Sequence, residues 1–228
     1  GQRRAQVMAD RPQHIGPFPL PLHVLPVADA RFGHLNAAQR HGLALARLQA
    51  GGDARKVAAE LQALLAEHPD TLWLELPLAQ AWARAGEHAR ADALLQSVGR
   101  RLADNRALAL THAEILNGRA TAQAAQQALA VLRPQLGQGG SDDPLLQRQL
   151  ARAWELSGDH TRAGEAHAEA TWLGGRAEQA LLQLQTLKHN GGLDYVSQAR
   201  IDARIETLMP EVLELKRQGI DDPVLRRR

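Results

Sequence analysis

Zinc chemistry on a helical protein calls for two histidines four residues apart, so that both imidazoles leave one helical face toward the same ion. The ten histidines of this 228-residue chain include no such pair, and His-Glu-x-x-His occurs nowhere. The nearest imitation of a ligand set is His160, Glu165 and His167. His160 follows Gly158-Asp159 at a turn between helices, whereas His167 falls in a packing column, so the two are expected to point differently and to hold no metal. His112 and Glu114 lie two apart, where helical side chains diverge. The absence of cysteine removes thiolate ligands, thiol nucleophiles and disulfides together. There is no Gly-Lys-Ser/Thr phosphate loop and no glycine-flanked serine elbow, and Gly139-Gly140-Ser141 is a linker turn. The chain is therefore read as no enzyme in its own right, with no catalytic residue, metal or cofactor.

What remains is recognition by shape and by polar side chains. The 24 arginines and 3 lysines are interspersed with 25 acids for a net charge of +2, a balance that points to neither nucleic acid nor anionic membrane. Arg226–Arg228 reads as a solvated basic end. A protein or peptide ligand is the expected partner.

Such a surface must be carried by helices. Ala and Leu number 41 and 37, about a third of the chain, while aromatic residues are 3%, and a sheet draws on β-branched and aromatic residues instead. Charges interrupt every apolar run well short of the ~20 residues that span a bilayer. Residues 1–36 form a separate lead-in or linker, because Pro12, Pro17, Pro19, Pro21 and Pro26 forbid a regular helix there. Pro77 should kink its helix or make it start late.

From Asn36 onward apolar residues recur at helical spacing. Gly52, Gly86, Ala120, Gly158 and Gly192 stand between helical segments at intervals of 34, 34, 38 and 34, the longer interval containing the Gly-rich loop 137–144. Five residues after each rung come Val57, Ala91, Ala125, Ala163 and Ser197, and four further on Leu61, Leu95, Leu129, His167 and Ile201. Seven before come Leu45, Ala79, Ala113, Ala151 and Gln185; four before come Leu48, Trp82, Leu116, Trp154 and Lys188. This pattern resembles the tetratricopeptide repeat (TPR). The resemblance implies an all-α, TPR-type solenoid of about five helix pairs over 37–209, with residues 210–228 a helical extension and basic tail. The fifth unit, polar at Gln185 and Lys188, suits a terminal cap.

In such a stack the first helix of each pair lines the concave face. The repeat register nominates Trp73, Gln80 and Arg84 in the second unit, Glu114 and Asn117 in the third, Arg148, Arg152 and Glu155 in the fourth, and His189 in the fifth as partner-binding candidates. Trp82 and Trp154 share a packing column and are assigned to the core.

The run Gln198-Ala199-Arg200-Ile201-Asp202-Ala203-Arg204-Ile205 carries a narrower resemblance. It looks like the closing helix of the TPR domain that follows the catalytic domain in barrel-assembly-enhancing zinc metallopeptidases. That resemblance implies a periplasmic, substrate- or partner-binding C-terminal domain acting in outer-membrane β-barrel assembly and quality control. Its zinc would belong to a peptidase domain outside this sequence. A stand-alone scaffold that self-associates through its open ends is the alternative.

Overall fold

The computed structural model describes residues 35–137, 140–190 and 192–220. Residues 1–34, the greater part of the proline-rich lead-in, and the Arg226–Arg228 tail lie outside them. Ten α-helices in five consecutive pairs make up the described residues, and no strand occurs among them. The pairs are α1 (Ala37–Gln49) with α2 (Ala54–Glu67), α3 (Leu72–Arg84) with α4 (His88–Arg101), and α5 (Arg106–Gly118) with α6 (Ala122–Leu136). They continue with α7 (Pro144–Ser157) and α8 (His160–Leu173), then α9 (Ala177–His189) and α10 (Tyr195–Arg217). A 3₁₀ turn, Gly140–Asp142, sits in the longer connection before α7. The described residues form an all-helical repeat solenoid.

Seven of the ten helices begin where a side chain accepts from their free amides; those starting at Leu72, His88 and Ala177 have no side-chain cap bond. Asn36 forms a capping box with Gln39, and Asp53, Asn105, Thr121, Asp143, Asp159 and Asp194 accept from first-turn backbone N–H groups. The rungs of the ladder are the turns that end the first helix of each pair. Gly51, Gly86, Ala120, Gly158 and Gly192 all hold positive φ there, between 53° and 88°. In the first unit the left-handed residue is Gly51 rather than Gly52. Gly52 is required for a different reason, since a Cβ there would stand 2.9 Å from the Arg47 carbonyl oxygen. Ala120 takes the left-handed conformation at φ 53° with a side chain, which a glycine would do without penalty.

The packing columns fill the core. Val57, Ala91, Ala125 and Ser197 are buried, as are Leu61, Leu95, Leu129 and Ile201. The fourth unit departs from both columns: Ala163 is only partly buried and His167 is exposed, while Ala166, Ala168, Ala170 and Thr171 turn inward. The buried side chains group into three successive clusters, and α5 and α8 each contribute to two of them, so cohesion passes from neighbour to neighbour. Trp82 is buried and Trp154 half-buried, each beneath an arginine of the second helix of its pair: Arg90 at 4.3 Å and Arg162 at 4.8 Å from the ring centres.

Pro77 does not delay the start of its helix. α3 starts at Leu72 and runs through Pro77 to Arg84, with Pro77 buried. The proline deprives the Trp73 carbonyl of its helical donor. The His41 ring of α1 meets the Trp73 ring edge-on, 4.6 Å between centres at 74°. At the other end α10 continues through Pro210, so residues 210–217 prolong the last helix of the array.

Candidate functional site

The first helices α1, α3, α5 and α7 pack on one another in succession, and the polar residues between them are partly consumed in holding that stack. Gln80 Nε2 donates to Glu114 Oε2 at 3.0 Å, bridging α3 and α5. Arg84 donates to the Leu48 carbonyl at the end of α1. Asn117 is buried, and its amide donates to the Gln149 carbonyl at 3.0 Å and side-chain oxygen at 2.9 Å, tying α5 to α7. A shallow hollow of about 280 Å³ lies over this region, walled by Gln80, Arg84, His88, Glu114 and Ile115. Trp73 stands at 45% exposure outside it, against His41. His189 is exposed at the end of α9 and lines neither this hollow nor the larger cleft.

The succession changes at the last pair. α9 packs on α8 and α10, without a stack on α7 like that of the earlier first helices. The sequence accounts for it: Gln185 and Lys188 occupy the α9 positions that are Ala79 and Trp82 in α3, and both stay exposed, Lys188 pairing with Asp202 at 2.6 Å. Gly164 lets Leu187 seat directly on α8, because a Cβ at residue 164 would come within 2.9 Å of the Leu187 side chain.

The consequence is a cleft of about 480 Å³ between α7, α8 and the start of α9. Its apolar surface is Ala151, Ala163, Gly164 and Ala170. Around this stand Arg148, Arg152 and Glu155 from α7, His160 and His167 from α8, and Arg176 at the N-cap of α9. Arg152 and Glu155 pair at 2.8 Å, and Arg176 donates to the Gln179 side chain at 3.2 Å.

Three nominated residues, Arg148, Arg152 and Glu155, thus share the cleft, and three more, Gln80, Arg84 and Glu114, share the hollow. His160, His167 and Arg176 were not nominated. The expectation that His160 and His167 point differently is corrected: seven residues apart is two helical turns, which places both on the cleft side of α8. That spacing was readable, but the repeat register had assigned His167 to the core, and α8 is turned relative to that register. Arg176 precedes α9 with no pattern to mark it. Among the described residues no three His, Asp or Glu side chains come together as a metal site, and no helix is long and apolar enough to cross a membrane.

Neither the scan against protein-family models nor the search of curated proteins finds a match for the chain.

Proposed function

We propose that this chain is a TPR-type protein-binding module whose inner face takes an extended segment of a partner polypeptide. The observation that carries the reading is the cleft where α9 departs from the inner stack. An apolar surface with charged groups around it can accept a peptide's side chains while answering its polar atoms. The hollow at Gln80 and Glu114 extends the same polar face toward the second unit. Following the resemblance of residues 198–205, we assign the module to a periplasmic zinc metallopeptidase of the barrel-assembly-enhancing kind, as the domain that receives substrates or docks on the assembly machinery. Peptide bond cleavage would belong to the peptidase domain, which agrees with the lack of a catalytic motif in this sequence.

The test is fluorescence anisotropy of the purified chain with unfolded β-barrel polypeptide and with an unfolded soluble protein of equal length. Preferential binding of the barrel polypeptide, weakened by Arg152→Ala, is expected. Equal binding of the two would remove the assignment to barrel assembly and leave a general peptide-binding module. Sedimentation velocity addresses the scaffold alternative: growth of the oligomer with concentration, with no peptide bound, would favour self-association.

A further inference from the structure

The charges around the cleft are unequal in sign. Arg148, Arg152 and Arg176 face one carboxylate, Glu155, which is already engaged by Arg152. Arg148 makes no ion pair among the described residues, and Arg176 is held by a neutral amide rather than an acid. Nearby acids on α8 are committed elsewhere: Glu165 is held by Arg200 and Glu169 by Arg204, while Asp159 caps α8 and lies 3.6 Å from Arg162. Two guanidiniums therefore line an open cleft with no acid among the described residues paired to them.

We infer that the cleft between α7, α8 and α9 selects acidic peptide segments, whose carboxylates are taken by Arg148 and Arg176. A guanidinium presents parallel N–H donors that match a carboxylate's two oxygens, and such charge-assisted bonds are the stronger class. The small side chains Ala151, Ala163, Gly164 and Ala170 leave room for a peptide backbone to lie close. Glu155 sets the register, since it repels an acid at its own position and leaves Arg152 with a partner already in place. This specificity rests on the inner face being a peptide site at all.

The experiment uses three labelled octapeptides of one length, alternating Ala with Glu, Gln or Lys, titrated with the full chain by anisotropy. The Glu peptide is expected to bind at least about tenfold more tightly than the Gln peptide, the scale of one or two charged hydrogen bonds, and the Lys peptide most weakly. Arg148→Gln with Arg176→Gln should abolish that preference, whereas Arg133→Gln, on the exposed side of α6, should preserve it. Circular dichroism melts verify that each variant folds, and the single variants Arg148→Gln and Arg176→Gln serve if the double variant does not. Equal affinity for the Glu and Gln peptides, or a preference that survives in the folded variants, overturns the acidic selectivity while the peptide-binding reading stands. Failure of all three peptides to bind overturns both.

Discussion

Arg204 holds Glu169 through two parallel hydrogen bonds, Nε to Oε2 at 2.9 Å and Nη2 to Oε1 at 2.7 Å, which join the second helices of the last two pairs. One turn earlier Arg200 holds Glu165 in the same way, at 3.0 Å and 2.7 Å. Both arginines belong to the run whose resemblance suggested a closing helix, and Ile201 and Ile205 of that run are buried beneath them. Among the described residues α10 packs on α9, and these clamps and that apolar row attach it to the array. Lysine cannot reproduce a two-pronged contact. Arg204→Lys should therefore cost about 0.5–1 kcal/mol, modest because the pair is partly exposed. Hydrogen exchange should locate the loss in α9 and α10, with α1–α4 unchanged.

Ala120 is the one rung of the ladder that is left-handed without being glycine. Ala120→Gly should raise stability by about 1 kcal/mol, because it removes a steric penalty that exceeds the entropy glycine adds to the unfolded chain. Gly86→Ala should lower it by a similar amount, although no atom lies within 4 Å of the added methyl, since the cost is conformational. Thermal or urea unfolding of the two variants measures both.

Burial holds the imidazoles of His41 and His112 below their ordinary value of 6.5; at His112 the Asp92 charge partly opposes this and Arg119 reinforces it. A base whose pKa is lower in the folded state binds fewer protons folded than unfolded, so stability rises with pH across the interval. The protein should be at full stability above about pH 7 and lose it as pH falls below the unfolded value of about 6.5. His112→Gln should flatten that slope between pH 7 and 5 in denaturant titrations. An unchanged slope would show that His112 does not contribute.

Glu75 is buried, and its Oε1 meets Arg101 Nη2 at 2.5 Å. Arg101→Met would leave a buried carboxylate without its cation and should cost about 2–3 kcal/mol. Glu75→Gln with Arg101→Met should recover part of that loss, as read by the urea midpoint.

The helical class, the five pairs and the turns between them were already determined by the amino-acid order, because they depend on local physics. Ala and Leu favour helix, Asn, Asp and Thr cap most of the helices, and a glycine or alanine holds positive φ at the turn inside each pair. The same local rules made a late start at Pro77 one option, whereas the helix already begins at Leu72. The polar break at Gln185 and Lys188 was readable as well: both stay exposed, and Lys188 pairs with Asp202 of α10. Tertiary structure alone decided which polar residues stay available. Asn117 carried the mark of a groove residue and is consumed between α5 and α7, while His160, His167 and Arg176 carried none and line the cleft. That outcome depends on how far α8 turns about its axis and where α9 settles. Contacts between helices, such as Leu187 against Gly164, set both, and no spacing within a single helix encodes them.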